Sequence, residues 1–196
     1  MARVRLSTAA LVLGGTLVAS FAAGYGWSRL NDDTPDDTVR VSEPGIYDEP
    51  GSIVTAPELG GDPLPSVELS ALDGSSVSTA DLTGQPMVLN LWFSTCVPCQ
   101  QELPDFATVS EEFANEVRFI GVNPFDTAET AASFAAEHGV TYELLLDTSS
   151  EFTSDLEIGL FPATLFVDAQ GTIVDLHLGA LTAAELREKI ATELSA

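Results

Sequence analysis

The two cysteines of this 196-residue chain lie three positions apart, in the stretch STCVPCQQELP that begins at Ser94. Such a pair can be a structural disulfide, half of a metal site or a redox-active dithiol. Residues three apart share one face of a helix, so Cys96 and Cys99 are close enough for a disulfide that closes a very small ring. A ring that short removes little entropy from the unfolded chain and is a poor structural staple. The spacing therefore favours a bond that opens and closes.

Other candidate metal ligands are few. A structural zinc site usually takes four ligands, and beyond the cysteines the chain offers only His138 and His177, which are distant in sequence. We interpret the first as a solvated helix end and the second as a strand residue. Haem attachment through Cys-x-x-Cys-His fails because Gln100 follows Cys99. The sequence predicts no metal and no bound cofactor, while a permanently oxidised disulfide stays open as an alternative.

The neighbouring elements predict how the pair is positioned. Residues 87–93 are a continuous apolar run typical of a strand buried on both faces, and helix-like sequence follows over residues 98–115. Cys96 would then lie at the N-terminus of a helix, where unpaired N–H groups and the helix dipole favour a thiolate. Pro98 fits an early helical position because its missing N–H costs nothing there. Cys96 is therefore the expected nucleophile.

The remaining pattern predicts an α/β fold with a mixed sheet. EVRFIGVN is a second buried strand and TAETAASFAAEHG a helix that ends at Gly139, so the strand–helix–strand order predicts parallel pairing. Residues 164–167 and 173–178 flank a turn and predict an antiparallel hairpin, and residues 182–194 a closing helix. Asp73-Gly74 predicts an earlier hairpin, expected to form a first short sheet before this unit.

The N-terminal third predicts a different organisation. Residues 6–27 carry no charge and, at about 1.5 Å per residue, could cross the roughly 30 Å core of a bilayer as a helix. Arginines before this run and acids after it place the rest of the chain outside, although a cleaved signal peptide is the alternative. Residues 29–61 are acidic and proline-rich and predict a disordered tether. The expected order is an anchor or signal at 1–28, the tether at 29–61 and a domain at 62–196.

Acidic residues dominate the chain beyond its N-terminal segment. The net charge is -23, and all 30 acidic residues follow position 31, against four basic ones. Such a surface repels phosphate backbones and anionic lipid headgroups, so nucleic-acid binding is not expected. A solubilising or salt-tolerant surface explains the charge, which indicates no substrate.

The stretch VLNLWFSTCVPCQQELP resembles the active-site region of thioredoxin-fold proteins, in particular the membrane-anchored TlpA/ResA-like thiol-disulfide oxidoreductases with a redoxin/AhpC-TSA-like domain. The motifs GVN, LLLD, GLFPATLFVD and QGTIVDLHLG follow in the family's order. The resemblance covers about residues 62–196. It implies a thioredoxin-like fold, a mixed central sheet flanked by helices, with an N-terminal β-hairpin extension.

The same resemblance implies roles for single residues. Cys96 is implied to attack a substrate disulfide and Cys99 to resolve the mixed disulfide. Phe161 and Pro162 match the family's cis-proline position, where the backbone beside the disulfide pairs with a substrate strand. Pro98, between the cysteines, is expected to contact substrate as well.

Two further positions are implied to affect the chemistry. Glu102 matches a family acid one turn after Cys99 that could exchange its proton, and an ordinary solvated helix glutamate is the alternative. Asn90 stands where cytoplasmic thioredoxins carry a buried acid, which makes Glu102 the more interesting carboxyl. Thr95 stands where the family commonly has tryptophan; it is expected to contact substrate, but substrate preference and reduction potential do not transfer.

The expected function is an extracytoplasmic thiol-disulfide oxidoreductase that reduces protein disulfides. The resemblance implies substrates such as apocytochrome c during cytochrome c biogenesis, and a membrane protein as electron donor. An oxidase or an isomerase would use the same sulfur chemistry, so the direction of exchange stays open. A thiol peroxidase of the peroxiredoxin type and a copper chaperone are the alternatives. The proline and threonine that precede the attacking cysteine of such peroxidases are not evident here. The wider cysteine spacing and the histidine ligand of copper chaperones on this fold are not evident either.

Overall fold

The computed structural model describes residues 57–194. Seven strands in this part form one sheet in the order β2-β1-β5-β4-β3-β6-β7. The strands are β1 (Glu68–Ala71), β2 (Ser76–Ser78), β3 (Met87–Leu91), β4 (Arg118–Asn123), β5 (Glu143–Leu146), β6 (Ala163–Val167) and β7 (Ile173–Leu178). The helices are α1 (Val97–Glu112), α2 (Ala128–Glu137), α3 (Glu151–Asp155) and α4 (Ala183–Lys189).

The predicted anchor, and the predicted tether up to residue 56, lie outside the described residues. Within residues 57–194, no helix combines the length and the hydrophobicity needed to cross a bilayer. Leu59 packs against the core, and the Gly61 N–H donates to the Ile173 carbonyl at 2.8 Å. These contacts lie upstream of residue 62, where the sequence places the start of the domain.

The central strand β3 is buried along its whole length, as its apolar run predicts. It pairs in parallel with β4 and antiparallel with β6. The parallel β3–β4 pair with α1 between its strands confirms the predicted strand–helix–strand unit, and β6 and β7 form the predicted antiparallel pair. The sheet is therefore mixed, as expected.

The hairpin at Asp73-Gly74 forms between β1 and β2. It does not make a separate first sheet, and that expectation is wrong, because β1 also pairs antiparallel with β5 through Ser70 and Leu146. An edge strand presents unpaired backbone groups, and β1 supplies partners to those of β5. The hairpin thus extends the main sheet at the β5 side.

Several element ends differ from the prediction by a few residues. β3 ends at Leu91, two residues before the predicted end at 93, although the Trp92 N–H still donates to the Val122 carbonyl of β4 at 3.1 Å. Helix α1 begins at Val97 and ends at Glu112, slightly before the predicted end at 115. Helix α4 ends at Lys189 and continues as a π-helical turn, Ile190–Leu194. A capping box between Thr182 and Glu185 fixes its start.

The two faces of the sheet carry different apolar clusters. Residues Met87, Leu89 and Leu91 of β3 join one cluster with Phe152 and Leu156, from α3 and the residue after it. Val88, which points to the opposite face, packs with Phe106 of α1 and Leu186 of α4. A third cluster contains both cysteines together with Trp92, Leu103 of α1 and Ala131 of α2. The cysteine pair therefore lies where α1 and α2 cover the end of the central strands.

Candidate active site

Cys96 and Cys99 are joined by a disulfide at the start of α1, with their Cα atoms 5.2 Å apart. Cys96 is the N-cap residue of the helix, and its Sγ accepts a hydrogen bond from the Cys99 N–H at 3.3 Å. Cys96 is 6% exposed, whereas Cys99 is completely buried. Once the bond opens, a thiolate at Cys96 keeps an N–H donor and the positive end of the helix dipole. The geometry thus favours Cys96 as the attacking sulfur.

The turn before the first cysteine is fixed by side-chain hydrogen bonds. The Asp126 carboxylate accepts bonds from the N–H and the hydroxyl of Ser94, both at 2.7 Å. Gln100 Nε2 donates to the Ser94 carbonyl at 2.9 Å. Asn123, at the end of β4, donates to Asp126 at 2.7 Å and accepts from the Asp126 N–H at 2.9 Å. Asp126 is not among the residues predicted from the sequence, although an Asn three residues before it is a local sign of such a turn.

The residues that flank Cys96 are open to solvent. Thr95 and Pro98, both predicted to contact substrate, are exposed. Val97 between them is 61% exposed. A polypeptide that approaches the Cys96 sulfur therefore meets these side chains, and their role in binding stays a prediction.

The Phe161–Pro162 peptide bond is cis, the isomer that the resemblance implies. Pro162 is buried and lies directly before β6, whose first residue, Ala163, pairs with Leu91 at the end of β3. Pro162 and the cysteine turn therefore lie at the same end of the sheet. Phe161 packs against the cluster that contains both cysteines.

Three phenylalanines form an aromatic triangle beside the disulfide. The centroid of the Phe93 ring lies 5.0 Å from that of Phe125 and 5.4 Å from that of Phe161. The centroids of Phe125 and Phe161 lie 5.6 Å apart. All three contacts are edge-to-face, a favourable arrangement for aromatic rings. Phe125, in the loop between β4 and α2, is nevertheless 63% exposed. Phe125 is not among the residues predicted from the sequence.

Glu102 is buried at 2% exposure on the inner side of α1. Its Oε1 accepts a bond from Asn90 Nδ2 at 2.8 Å, and its Oε2 accepts one from the Leu181 N–H at 3.1 Å. The alternative reading of a solvated helix glutamate is therefore wrong. Burial raises the pKa of Glu102 to about 7, although the bonds from Asn90 and Leu181 favour the charged form.

Other buried polar groups surround this carboxyl. Asn90 faces Thr164 across the β3–β6 pair, and within residues 57–194 neither Asn90 Oδ1 nor Thr164 Oγ1 has a hydrogen-bond partner. Burial also raises the pKa of Tyr142, and the charge of Glu102 adds to that effect. Glu102 lies one helical turn beyond Cys99, on the same face of α1. A group that changes charge near neutral pH thus stands behind the resolving cysteine.

The two histidines lie away from this arrangement. His138, at the end of α2, is half-buried rather than solvated, with Nδ1 2.8 Å from the Phe134 carbonyl. His177 lies in β7, as predicted, and burial lowers its pKa. Over residues 57–194, no three His, Cys, Asp or Glu side chains are grouped so that they could hold a metal ion.

Curated relatives match this chain over most of its length. It is 31% identical over 182 residues to the thioredoxin-like protein YneN of Bacillus subtilis (strain 168), covering 91% of this chain and 95% of that protein. It is 29% identical over 154 residues to the thiol:disulfide interchange protein DsbE of Pseudomonas fluorescens biotype C, covering 78% and 84%. The thiol-disulfide oxidoreductase ResA of B. subtilis is 25% identical over 129 residues, with 65% and 72% covered. These names confirm the predicted reaction class.

Solved structures confirm the thioredoxin-like fold. The structure of MTB dsbF in its mixed oxidized and reduced forms matches with a TM-score of 0.59 at 28% identity, covering 64% of this chain and 93% of that one. StoA from Bacillus subtilis shares the fold, with a TM-score of 0.55 at 24% identity and coverage of 64% and 96%. The Redoxin family model matches residues 59–193, which span all seven strands and the four α-helices. The chain is therefore a member of the Redoxin family.

Proposed function

We propose that this protein is an extracytoplasmic thiol-disulfide oxidoreductase that reduces protein disulfides through Cys96 and Cys99. The observation that carries the proposal is the difference between the two sulfurs. Cys96 is the helix N-cap, accepts the Cys99 N–H and retains some exposure, whereas Cys99 is sealed behind it. Only Cys96 can contact a disulfide of another protein. Cys99 is placed to attack Cys96 and so release the substrate from the mixed disulfide.

The reaction is a two-step exchange in which atoms and electrons balance. The Cys96 thiolate attacks one sulfur of the substrate disulfide, and the other substrate sulfur leaves as a thiolate that takes a proton from water. The Cys99 thiol then gives its proton to a base and attacks Cys96 Sγ, which breaks the mixed disulfide and frees the second substrate thiolate, and this thiolate also takes a proton from water. The substrate gains two electrons and two protons, and the protein is left with the Cys96–Cys99 disulfide.

Glu102 is the proposed acceptor of the Cys99 proton. It lies one turn along α1 from Cys99, and its pKa of about 7 suits a group that gains and loses a proton at neutral pH. Asn90 and the Leu181 N–H hold its two oxygens in place. The reaction uses no bound cofactor, because both electrons are carried by the cysteine sulfurs.

The proposal includes a location outside the cytoplasm and a membrane protein as electron donor. The uncharged run at residues 6–27 supports a membrane anchor or a signal peptide, with the domain on the outer side. A reductase there needs a thiol donor that returns two electrons to the disulfide, and a membrane protein that carries reducing equivalents across would supply them. Apocytochrome c is one candidate among the protein substrates. A peroxidase needs only one attacking cysteine. The second cysteine three residues away, which can close a disulfide with Cys96, is better suited to disulfide exchange.

Reduction of insulin with a dithiol donor tests the chemistry. Cys96→Ser should abolish the activity, and Cys99→Ser should stop after the first step and accumulate a mixed disulfide between Cys96 and the substrate. Unchanged turnover in Cys96→Ser would overturn the proposal. A measured reduction potential tests the direction, since a value of about -120 mV, typical of strong oxidants, contradicts a reductase, whereas one of about -270 mV supports it.

A further inference from the structure

The exposed large apolar side chains among residues 57–194 are Val97, Phe125 and Leu160. Single exposed apolar residues are ordinary, but Val97 begins α1 directly after Cys96, and the other two lie in loops whose rings, Phe125 and Phe161, pack together next to the cluster that holds the cysteines. Val97 follows Cys96, Leu160 precedes Phe161, and Phe125 contacts the Phe161 ring. We name these three residues the apolar rim.

Phe125 is exposed but not free to move. Its ring makes two edge-to-face contacts, and its N–H donates to Asn123 Oδ1 at 3.1 Å. The next residue, Asp126, is tied to Ser94 by two bonds of 2.7 Å, so the loop that carries the ring is fastened to the turn before Cys96. A ring already held in place loses little entropy when a ligand packs on it. An exposed ring held by two separate loops is therefore well suited to bind an apolar group of a ligand.

The charge of the domain limits what can pack there. The described residues include 23 acidic side chains against three basic ones. Each of the three basic groups is engaged elsewhere, in the ion pairs Arg118–Glu143, Arg187–Glu112 and Lys189–Asp175. No cation of the described part is therefore left to attract an acidic segment, and neutral or basic segments are favoured electrostatically.

We propose that Phe125 determines which protein disulfides this enzyme reduces, by binding an apolar side chain next to the reacting cysteine of a non-acidic substrate segment. Leu160 and Phe161 complete the contact, and Asp126 is the positioning residue that keeps the ring beside the disulfide. The occupant is the substrate polypeptide, because its sulfur must reach Cys96, which directly precedes Val97 and lies two residues after Ser94, the residue bonded to Asp126. The inference rests on the proposed function and adds the class of sequence that it acts on.

Matched peptide disulfides test the inference with the full-length protein. Three short peptides carry Phe, Ala or Glu directly before a single cysteine, each as a mixed disulfide with glutathione, and 2-hydroxyethyl disulfide reports the sulfur chemistry alone. The wild type should reduce the Phe peptide about tenfold faster than the Ala peptide, mainly through KM, because burying one aromatic side chain is enough for that factor. The Glu peptide should be the slowest.

Phe125→Ala should remove the preference for the Phe peptide over the Ala peptide, and the rate on 2-hydroxyethyl disulfide, measured alongside, separates this loss from any general change in sulfur reactivity. Phe125→Tyr should retain the preference. A preference that survives Phe125→Ala, or is absent from the wild type, overturns the inference. Failure of the proposed function looks different, since the wild type would then reduce none of the four disulfides.

Asp126 is tested by the same readout. Asp126→Ala should abolish the peptide preference and, because it also frees Ser94, slow the reaction with 2-hydroxyethyl disulfide. Asp126→Asn, which retains one acceptor oxygen, should lie between this variant and the wild type. Full peptide selectivity in a folded Asp126→Ala protein would refute the positioning role.

Discussion

The side-chain amide of Asn90 donates a 2.8 Å hydrogen bond to the buried carboxyl of Glu102. Asn90 belongs to the central strand β3 and Glu102 to helix α1, so the bond joins the two elements on either side of the cysteine turn. Burial disfavours the charged carboxyl and the amide favours it. The resulting pKa of about 7 gives this pair a measurable signature in both activity and stability.

Glu102→Gln should flatten the pH dependence of the resolving step. In the wild type, the Glu102 carboxylate that accepts the Cys99 proton becomes available as the pH rises through about 7. Glutamine keeps the size of the side chain but cannot take the proton, so release of a mixed disulfide should slow about a hundredfold at pH 8. Stopped-flow fluorescence of Trp92, which packs in the cluster with both cysteines, can follow the step. Glu111→Gln, on the exposed side of the same helix, is the control; identical pH profiles for the wild type and Glu102→Gln would contradict the assignment.

The same carboxyl should make the fold less stable as the pH rises. Its pKa is raised from 4.5 to about 7 in the folded state, so between these values the native protein binds more protons than the unfolded chain. The free energy of unfolding therefore falls with rising pH across this window, by up to about 3 kcal/mol, and its contribution is fully present only below pH 4.5. Urea unfolding at pH 4.5, 6 and 7.5 should show Glu102→Gln gaining stability relative to the wild type as the pH rises. A difference that stays constant with pH counts against the raised pKa.

Asn90→Leu should raise the pKa of Glu102 further. Leucine has the same number and branching of side-chain heavy atoms as asparagine but no N–H to donate, so the charged carboxyl loses one of its two bonds. A hydrogen bond to a charged group contributes about 1.5 kcal/mol or more, which moves the midpoint of the pH–rate profile upward by about one unit. Thr164→Val is the matched control, because this neighbour makes no bond to Glu102. Equal shifts in both variants would show that general repacking, rather than the bond, sets the midpoint.

Much of the site was readable from local sequence. The apolar run of β3, the cysteine spacing and Pro98 are neighbours in the chain, and together they predict a thiol at a helix N-terminus. The turn at Asp73-Gly74 likewise needs only a glycine that adopts a positive φ, here 85°. Such features depend on a few consecutive residues, and the structure has them where the pattern placed them.

The contacts that complete the site join distant residues. Ser94 and Asp126 are 32 positions apart, and Glu102 and Leu181 are 79 apart. No period or motif in one sequence records such pairs, which follow from how the strands are ordered in the sheet. The same reason explains why the hairpin was expected as a separate sheet: hydrophobic alternation predicts β1 but does not say that it pairs with β5. Phe125 was missed because an exposed aromatic in a loop has no distinctive pattern.

Gly121→Ala should destabilise the protein because β4 has no room for a side chain at this position. A Cβ there would lie 2.7 Å from both Leu144 Cδ2 and Trp92 Nε1, closer than van der Waals contact allows. Trp92 is completely buried and stacks on Phe134, so it cannot yield without disturbing the cluster that holds the cysteines. Overpacking of this kind costs about 1–3 kcal/mol, and the Trp92 fluorescence should change with it.

Gly159→Ala supplies the comparison. Nothing lies within 4 Å of a Cβ at Gly159, and its backbone is not in the left-handed region. Alanine there should therefore leave the free energy of unfolding within about 0.5 kcal/mol of the wild type. If the two alanine variants unfold at the same urea concentration, the close approach of Trp92 to β4 does not contribute to the stability of the cluster that holds the cysteines. If only Gly121→Ala is destabilised and also exchanges disulfides more slowly, the position of Trp92 governs how the cysteine turn is held.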